Sequence, residues 1–154
     1  MHIKILTIGH KSNKYESDEI AYYEKQLPKN LKVNFVNIKS EQNQKLKKNE
    51  ILTKESKQIL SKISASDYVV SWDSKGKQYT SNEFSELIKE SQEIKKQLIF
   101  IIGGSFGLSD NVLKRSDLII SASLLTFPHR LFRLILMEQI YRAYTIISKK
   151  TYHK

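Results

Sequence analysis

Leu98-Ile99-Phe100-Ile101-Ile102-Gly103-Gly104-Ser105-Phe106-Gly107-Leu108 is the stretch on which the fold turns. Its first five residues are apolar without a break and of types that favour strands. A strand with one wet face alternates apolar and polar residues, so an unbroken run predicts a strand buried on both faces. That is the pattern of an inner strand in a parallel sheet. Three glycines then interrupt it, and a glycine turn after a buried strand lets backbone approach a ligand closely and leaves amides free to bond it.

Downstream, Ser109 and Asp110 read as caps of a short helix through Val112 and Leu113. Leu118 to Ser121 reads as a last strand. After Phe127-Pro128 the longest helix runs from His129 to Ile147, with proline suited to its start because the missing N–H has no partner there anyway. Upstream, Thr80 and Glu83 form a capping-box pattern ahead of Phe84, Leu87 and Ile88, in a helix ending near Lys96. Tyr68 to Trp72 is a short strand closed by Asp73 to Lys77. Ile51 to Ile63 is amphipathic at helical spacing. Leu31 to Ile38 alternates as a strand, Asp18 to Leu27 reads as a helix stopped by Pro28, and Ile3 to Ile8 is a first strand ended by Gly9. Strands alternating with helices predict an α/β fold, a parallel sheet flanked by helices. No repeat or linker divides residues 1–154, so one domain is expected.

The chain has 154 residues and no cysteine, which excludes disulfides and thiolate metal sites. Its histidines, His2, His10, His129 and His153, lack ligand spacing, so no metal is expected. The apolar start is too short for a signal peptide, and no run reaches the ~20 apolar residues of a membrane span. A soluble, cytoplasmic protein without membrane contact is expected. The formal net charge of +10 favours a polyanion such as RNA, because Lys and Arg displace counterions condensed on phosphates. The polar stretch Lys39 to Lys48 reads as solvated surface in preference to a loop over a cleft.

The last helix is apolar nearly all round, whereas a surface helix needs one apolar stripe. This predicts a homodimer, the alternative being that the helix fills the chain's own core. Ligands of such sheets bind at the carboxyl ends of strands, here Trp72-Asp73, Gly103 to Leu108 and Ser121 to Pro128. The glycines match neither a dinucleotide fingerprint nor a phosphate-binding P-loop. Gly103-Gly104-Ser105-Phe106-Gly107 formally fits a serine-nucleophile elbow with His129 as base, but no orienting acid is evident, so a hydrolase is the third reading. A helix N-terminus should hold His129 neutral. Lys149-Lys150-Thr151-Tyr152-His153-Lys154 mixes charge with aromatics, as suits RNA.

From end to end the chain resembles the RlmH family of small SPOUT-class methyltransferases. The resemblance is carried by Phe100-Ile101-Ile102-Gly103-Gly104-Ser105 with Gly107-Leu108-Ser109, by Leu125-Thr126-Phe127-Pro128-His129, by Glu138-Gln139 with Tyr141-Arg142-Ala143, and by Tyr152-His153-Lys154. It implies methylation of N3 of a pseudouridine in large-subunit (23S) ribosomal RNA from S-adenosyl-L-methionine, on the assembled ribosome. It further implies a C-terminal trefoil knot and a homodimer. By position the cofactor contacts fall on Trp72, Gly103 and the run Ala122, Ser123, Leu124, Leu125, Thr126 and Phe127. Family members usually have Leu at the place of Trp72, and Gly and Pro before Tyr152, where this chain has Lys149-Lys150-Thr151. An imide N3–H is a weak acid, so attack needs a base. His129 or His153 could accept the proton, and Arg133 or Arg142 could stabilise the anion forming on the carbonyl oxygens. Tyr152 belongs to a tail expected to complete the other subunit's site. A non-catalytic basic RNA-binding module is the alternative reading.

Overall fold

The computed structural model describes residues 1–9, 12–94 and 96–152. Its centre is strand β4, Leu98–Ile102, in which all five residues are buried. β4 is paired in parallel with β1 (His2–Ile8) on one side and β3 (Tyr68–Gln78) on the other. With β2 (Lys32–Ile38) beside β1 and β5 (Leu118–Ser121) beside β3, the parallel sheet runs β2-β1-β4-β3-β5. Successive side chains of a strand point to opposite faces. Leu98, Phe100 and Ile102 therefore join one core with Ile3, Ile5 and Val70, while Ile99 and Ile101 join another with Leu6, Ile8 and Val69. Helices α1 (Lys14–Glu24), α3 (Ser81–Glu93) and α5 (His129–Ile147) cover the first face. Helices α2 (Lys48–Leu60) and α4 (Asp110–Arg115) cover the second.

β4, β5 and α5 have the bounds the sequence predicts. Helix α2 lies three residues earlier than the Ile51 to Ile63 stretch, α3 stops at Glu93 short of Lys96, and α1 and β3 differ most. Helix α1 begins at Lys14 because Asn13 caps it and Glu16 returns the bond in a capping box; it ends by Glu24, before Pro28 can obstruct it. Strand β3 does not stop at Trp72. After a bulge it pairs again with β5, Lys77 against Ile120 and Gln78 against Ser121. Gly76 permits this, since a Cβ there would lie 2.5 Å from the Ile120 carbonyl carbon.

Helix α5 lies between α1 and α3 and buries Phe132, Leu136, Met137, Ile140 and Ala143 in its own chain. Its all-round apolarity is thus answered largely within the monomer; Leu131, 46% exposed, remains outside. Among the described residues no helix is long and apolar enough to cross a membrane.

Candidate active site

Because every strand runs the same way, the loops leaving β3, β4 and β5 emerge at one edge of the sheet. They enclose a cleft of about 350 Å³. Trp72 forms its floor, packed edge-on to Phe132 with ring centroids 5.1 Å apart and tilted against Phe84 and Phe100. The indole nitrogen is buried, and no group among the described residues accepts its N–H. An unmet buried donor costs about 1–3 kcal/mol, so this wall gains from a ligand that supplies an acceptor.

The second wall is the glycine turn. A Cβ on Gly103 would meet the Gly107 carbonyl at 2.9 Å, so only glycine lets the turn close. Gly107 has φ +76, a left-handed conformation that glycine adopts without strain. The third wall is the loop after β5, held by Ser123. Its hydroxyl accepts the Leu125 N–H at 3.0 Å, and its carbonyl accepts the Ser121 hydroxyl at 3.0 Å. Ala122, Ser123, Leu125, Thr126 and Phe127 line the cleft; Leu124 is 90% exposed and lies outside it. Asp73 and Ser74, in the β3 bulge, also reach it.

His129 opens α5 at the edge of this cleft. Burial, and after it the charge of Arg133, hold its imidazole below its ordinary value of 6.5. The direction is the one expected from sequence, but the first cause is desolvation. Arg133, one turn on, is buried, with guanidinium nitrogens 3.5 Å from the Ser12 hydroxyl and 3.4 Å from the Asn37 side-chain oxygen. Burial also lowers its own pKa, yet a guanidinium stays charged in proteins.

Arg142 and Tyr152 belong to another cluster. Arg142 is 13 residues beyond His129, about 20 Å along the helix at ~1.5 Å per residue. Glu138 organises that end, accepting from Arg142 Nη2 at 2.8 Å and from the Tyr152 hydroxyl at 3.1 Å. The Arg142 guanidinium sits over the Tyr152 ring, which packs edge-on to Tyr141. Within one chain, then, His129 lines the cleft, Arg133 packs one turn behind it outside the lining, and Arg142 and Tyr152 lie apart. His153 lies outside the described residues. Ser105 lies on the exposed turn, and among the described residues no carboxylate is hydrogen-bonded to His129, so a Ser-His-acid arrangement is not assembled. Among the described residues, no three His, Cys, Asp or Glu side chains form a metal site.

Sequence reasoning overlooked Ser74, Phe132 and Arg130. The last carried a legible signal, since it lies next to His129 in the first turn of α5.

A parallel sheet with a backbone-lined cleft at the carboxyl ends of its central strands defines the class, α/β proteins that hold a nucleotide-like ligand at a loop edge. A family model described as "Predicted SPOUT methyltransferase" matches residues 1–153, and the chain belongs to that family. It is 41% identical over 153 residues to the ribosomal RNA large subunit methyltransferase H of Caldicellulosiruptor saccharolyticus, covering 99% of each chain. It is 44% identical over 159 residues to the protein of the same name from Exiguobacterium sp., covering all of both. A solved structure, a probable methylase family protein from Haemophilus influenzae Rd KW20, shares the fold. Its TM-score is 0.58 at 11% identity, over 99% of this chain and 70% of that one.

Proposed function

We propose that this protein transfers the methyl group of S-adenosyl-L-methionine to N3 of a pseudouridine in large-subunit ribosomal RNA, acting in the cytoplasm on the assembled ribosome. The observation that carries the reading is the cleft of glycine turn, Trp72 and residues 122–127, in a chain that matches ribosomal RNA large subunit methyltransferases over its whole length. The residues suit this donor. Trp72, Phe127 and Phe132 offer faces for an adenine ring, the buried indole N–H lacks an acceptor, and the turn at Gly103 would be filled by any Cβ.

When bound, such a donor supplies a methyl carbon already activated by its sulfonium, leaving as a neutral thioether. The chain's work is alignment and proton removal. Holding nucleophile and electrophile in line can contribute about 7–11 kcal/mol. The imide proton would pass to His129, whose half-buried, cation-flanked setting keeps the imidazole neutral and so able to accept it. The charge of Arg133 favours the anion growing on the flanking carbonyl oxygens. No step needs a metal.

The reading includes a homodimer in which Tyr152 and the residues after it complete the partner's site. The separation of Arg142 and Tyr152 from the cleft within one chain supports this, as do exposed Leu124, Leu125 and Leu131. It also includes a knotted C-terminal segment; the loops after β4 and β5 share one cleft although β3 lies between those strands, which supports such threading. Titration calorimetry with S-adenosyl-L-methionine tests the assignment. Saturable binding is expected, whereas an RNA-binding module without catalysis would give none.

A further inference from the structure

Beside the first cleft is a second, of about 180 Å³, which shares Gly104, Ser105 and His129 with it. Its far wall comes from Gly9 at the end of β1, from Ser40 and Gln42 after β2, and from Arg130 and Arg133 of α5. No acidic side chain is among the described residues that line it. Glu16 stands behind, 4.0 Å from Arg130 and near enough for its charge to act on Arg133, so among the described residues this one carboxylate faces both guanidinium groups. A further opening adjoins the first cleft past Trp72, but it is walled mainly by Phe84, Phe127, Phe132, Ile135 and Leu136. That opening also carries Tyr79, Thr80, Ser81 and Gln139, but of the two neighbours only the first is lined by cationic side chains, Arg130 and Arg133.

We propose that this second cleft receives the base of the target nucleotide, a uracil-type ring whose imide N–H lies between two carbonyl oxygens. The inference rests on the reading that the first cleft takes the methyl donor. The imide edge carries one acidic proton and two oxygens that gain negative charge as it leaves. Such an edge needs a base at its centre and donors at its sides. His129 stands in the partition between the clefts, so a ring in the second presents its nitrogen across that partition. Arg130, Arg133 and Gln42 line this cleft and bear the N–H groups that would meet the oxygens.

The wall from residues 40–42 is fixed by a carboxyl the mechanism does not otherwise use. Glu55 of α2 is buried beneath the glycine turn, 3.4 Å from where a Gly104 Cβ would lie. It accepts the Glu41 N–H at 3.3 Å, and Glu41 is held by the Gln58 amide at 2.6 Å. Residues 40–42 are thus tied to the floor of the site, while most of the rest of the stretch to Lys48 is exposed, as expected of solvated surface.

Gln42→Trp fills the second cleft from an exposed position, and Arg130→Glu reverses its charge without adding bulk. Each variant is compared with wild type by calorimetry with S-adenosyl-L-methionine and by methylation kinetics on ribosomes from a strain lacking this protein. Donor affinity within twofold of wild type is expected, with kcat/KM lowered about 100-fold, as for misplaced reactants. Normal kcat/KM in both variants would overturn the inference. Loss of donor affinity in both would overturn it too, since the clefts would then not be separate. If wild type neither binds the donor nor methylates ribosomes, it is the functional reading that fails, taking the inference with it. Should Gln42→Trp not fold, Arg130→Glu decides alone.

Discussion

Replacing Gly103 with alanine probes the proposed donor cleft where its geometry is tightest. The new methyl would sit 2.9 Å from both the carbonyl carbon and the oxygen of Gly107, and 3.1 Å from Leu108 Cδ2. Ordinary contact begins near 3.4 Å, so the turn must open by roughly 0.5 Å. Leu108 could yield by a rotamer change, but the Gly107 backbone cannot. Forcing atoms into a packed site costs about 1–3 kcal/mol. The free protein relieves this by opening the turn, and donor binding must close it again. At about 1.4 kcal/mol per factor of ten, the donor Kd should rise roughly five- to 150-fold. Gly107→Ala is the control: nothing lies within 4 Å of its added methyl, and only φ +76 is strained. That change should lower the Tm and weaken donor binding less. Calorimetry with both variants, read beside thermal unfolding, decides the matter. A Gly103→Ala protein with donor affinity within twofold of wild type would refute the claim that the closed turn grips the donor.

Other outcomes follow from the same structure. Protonated His129 cannot accept the imide proton, and its pKa is lowered; kcat/KM should therefore rise with pH along a limb centred below 6.5. Arg133→Gln should move that limb upward by removing the neighbouring cation, and a limb at or above 6.5 in wild type would contradict the base assignment. Removing residues 152–154 should abolish methylation with donor affinity unchanged, and lower stability by about 1–2 kcal/mol through lost contacts to Tyr141 and Glu138; normal turnover would exclude the tail from the site. Lys149 closes α5 with φ 53, its N–H bonded to the Ile146 carbonyl and that of Lys150 to the Thr145 carbonyl. Glycine suits that conformation, so Lys149→Gly should stabilise by about 0.5–1 kcal/mol, a Tm rise of about 2 °C for a chain of this size, and an unchanged Tm would count against a strained cap.

The elements legible from sequence were those whose signals need no distant partner. An unbroken apolar run between Gln97 and the Gly103 turn bounded β4, and Pro128 marked the start of α5. The start of α1 lay in side-chain capping by Asn13 and Glu16, ahead of the first apolar repeat, so apolar spacing placed it late. The return of β3 past its bulge depends on Gly76 meeting the Ile120 backbone, a contact 44 positions apart in sequence that no local pattern encodes. The lining of the first cleft was legible through motifs, since Trp72 ends a predicted strand and the glycine turn and residues 122–127 each follow one. The second cleft was not. Gly9, Gln42, Gly104 and Arg130 come from four separate segments and share a wall only because the sheet order sets β1 between β2 and β4. Glu55 falls within the stretch Ile51 to Ile63 that reads as an amphipathic helix, and only the fold shows it buried beside Gly104.

The most direct test of the central claim is incubation of this protein with methyl-labelled S-adenosyl-L-methionine and ribosomes from a strain that lacks it, followed by nucleoside analysis of the ribosomal RNA. Label is expected in the large-subunit RNA alone, in a single nucleoside identified as N3-methylpseudouridine. Absence of label, or label in any other nucleoside, would contradict the account.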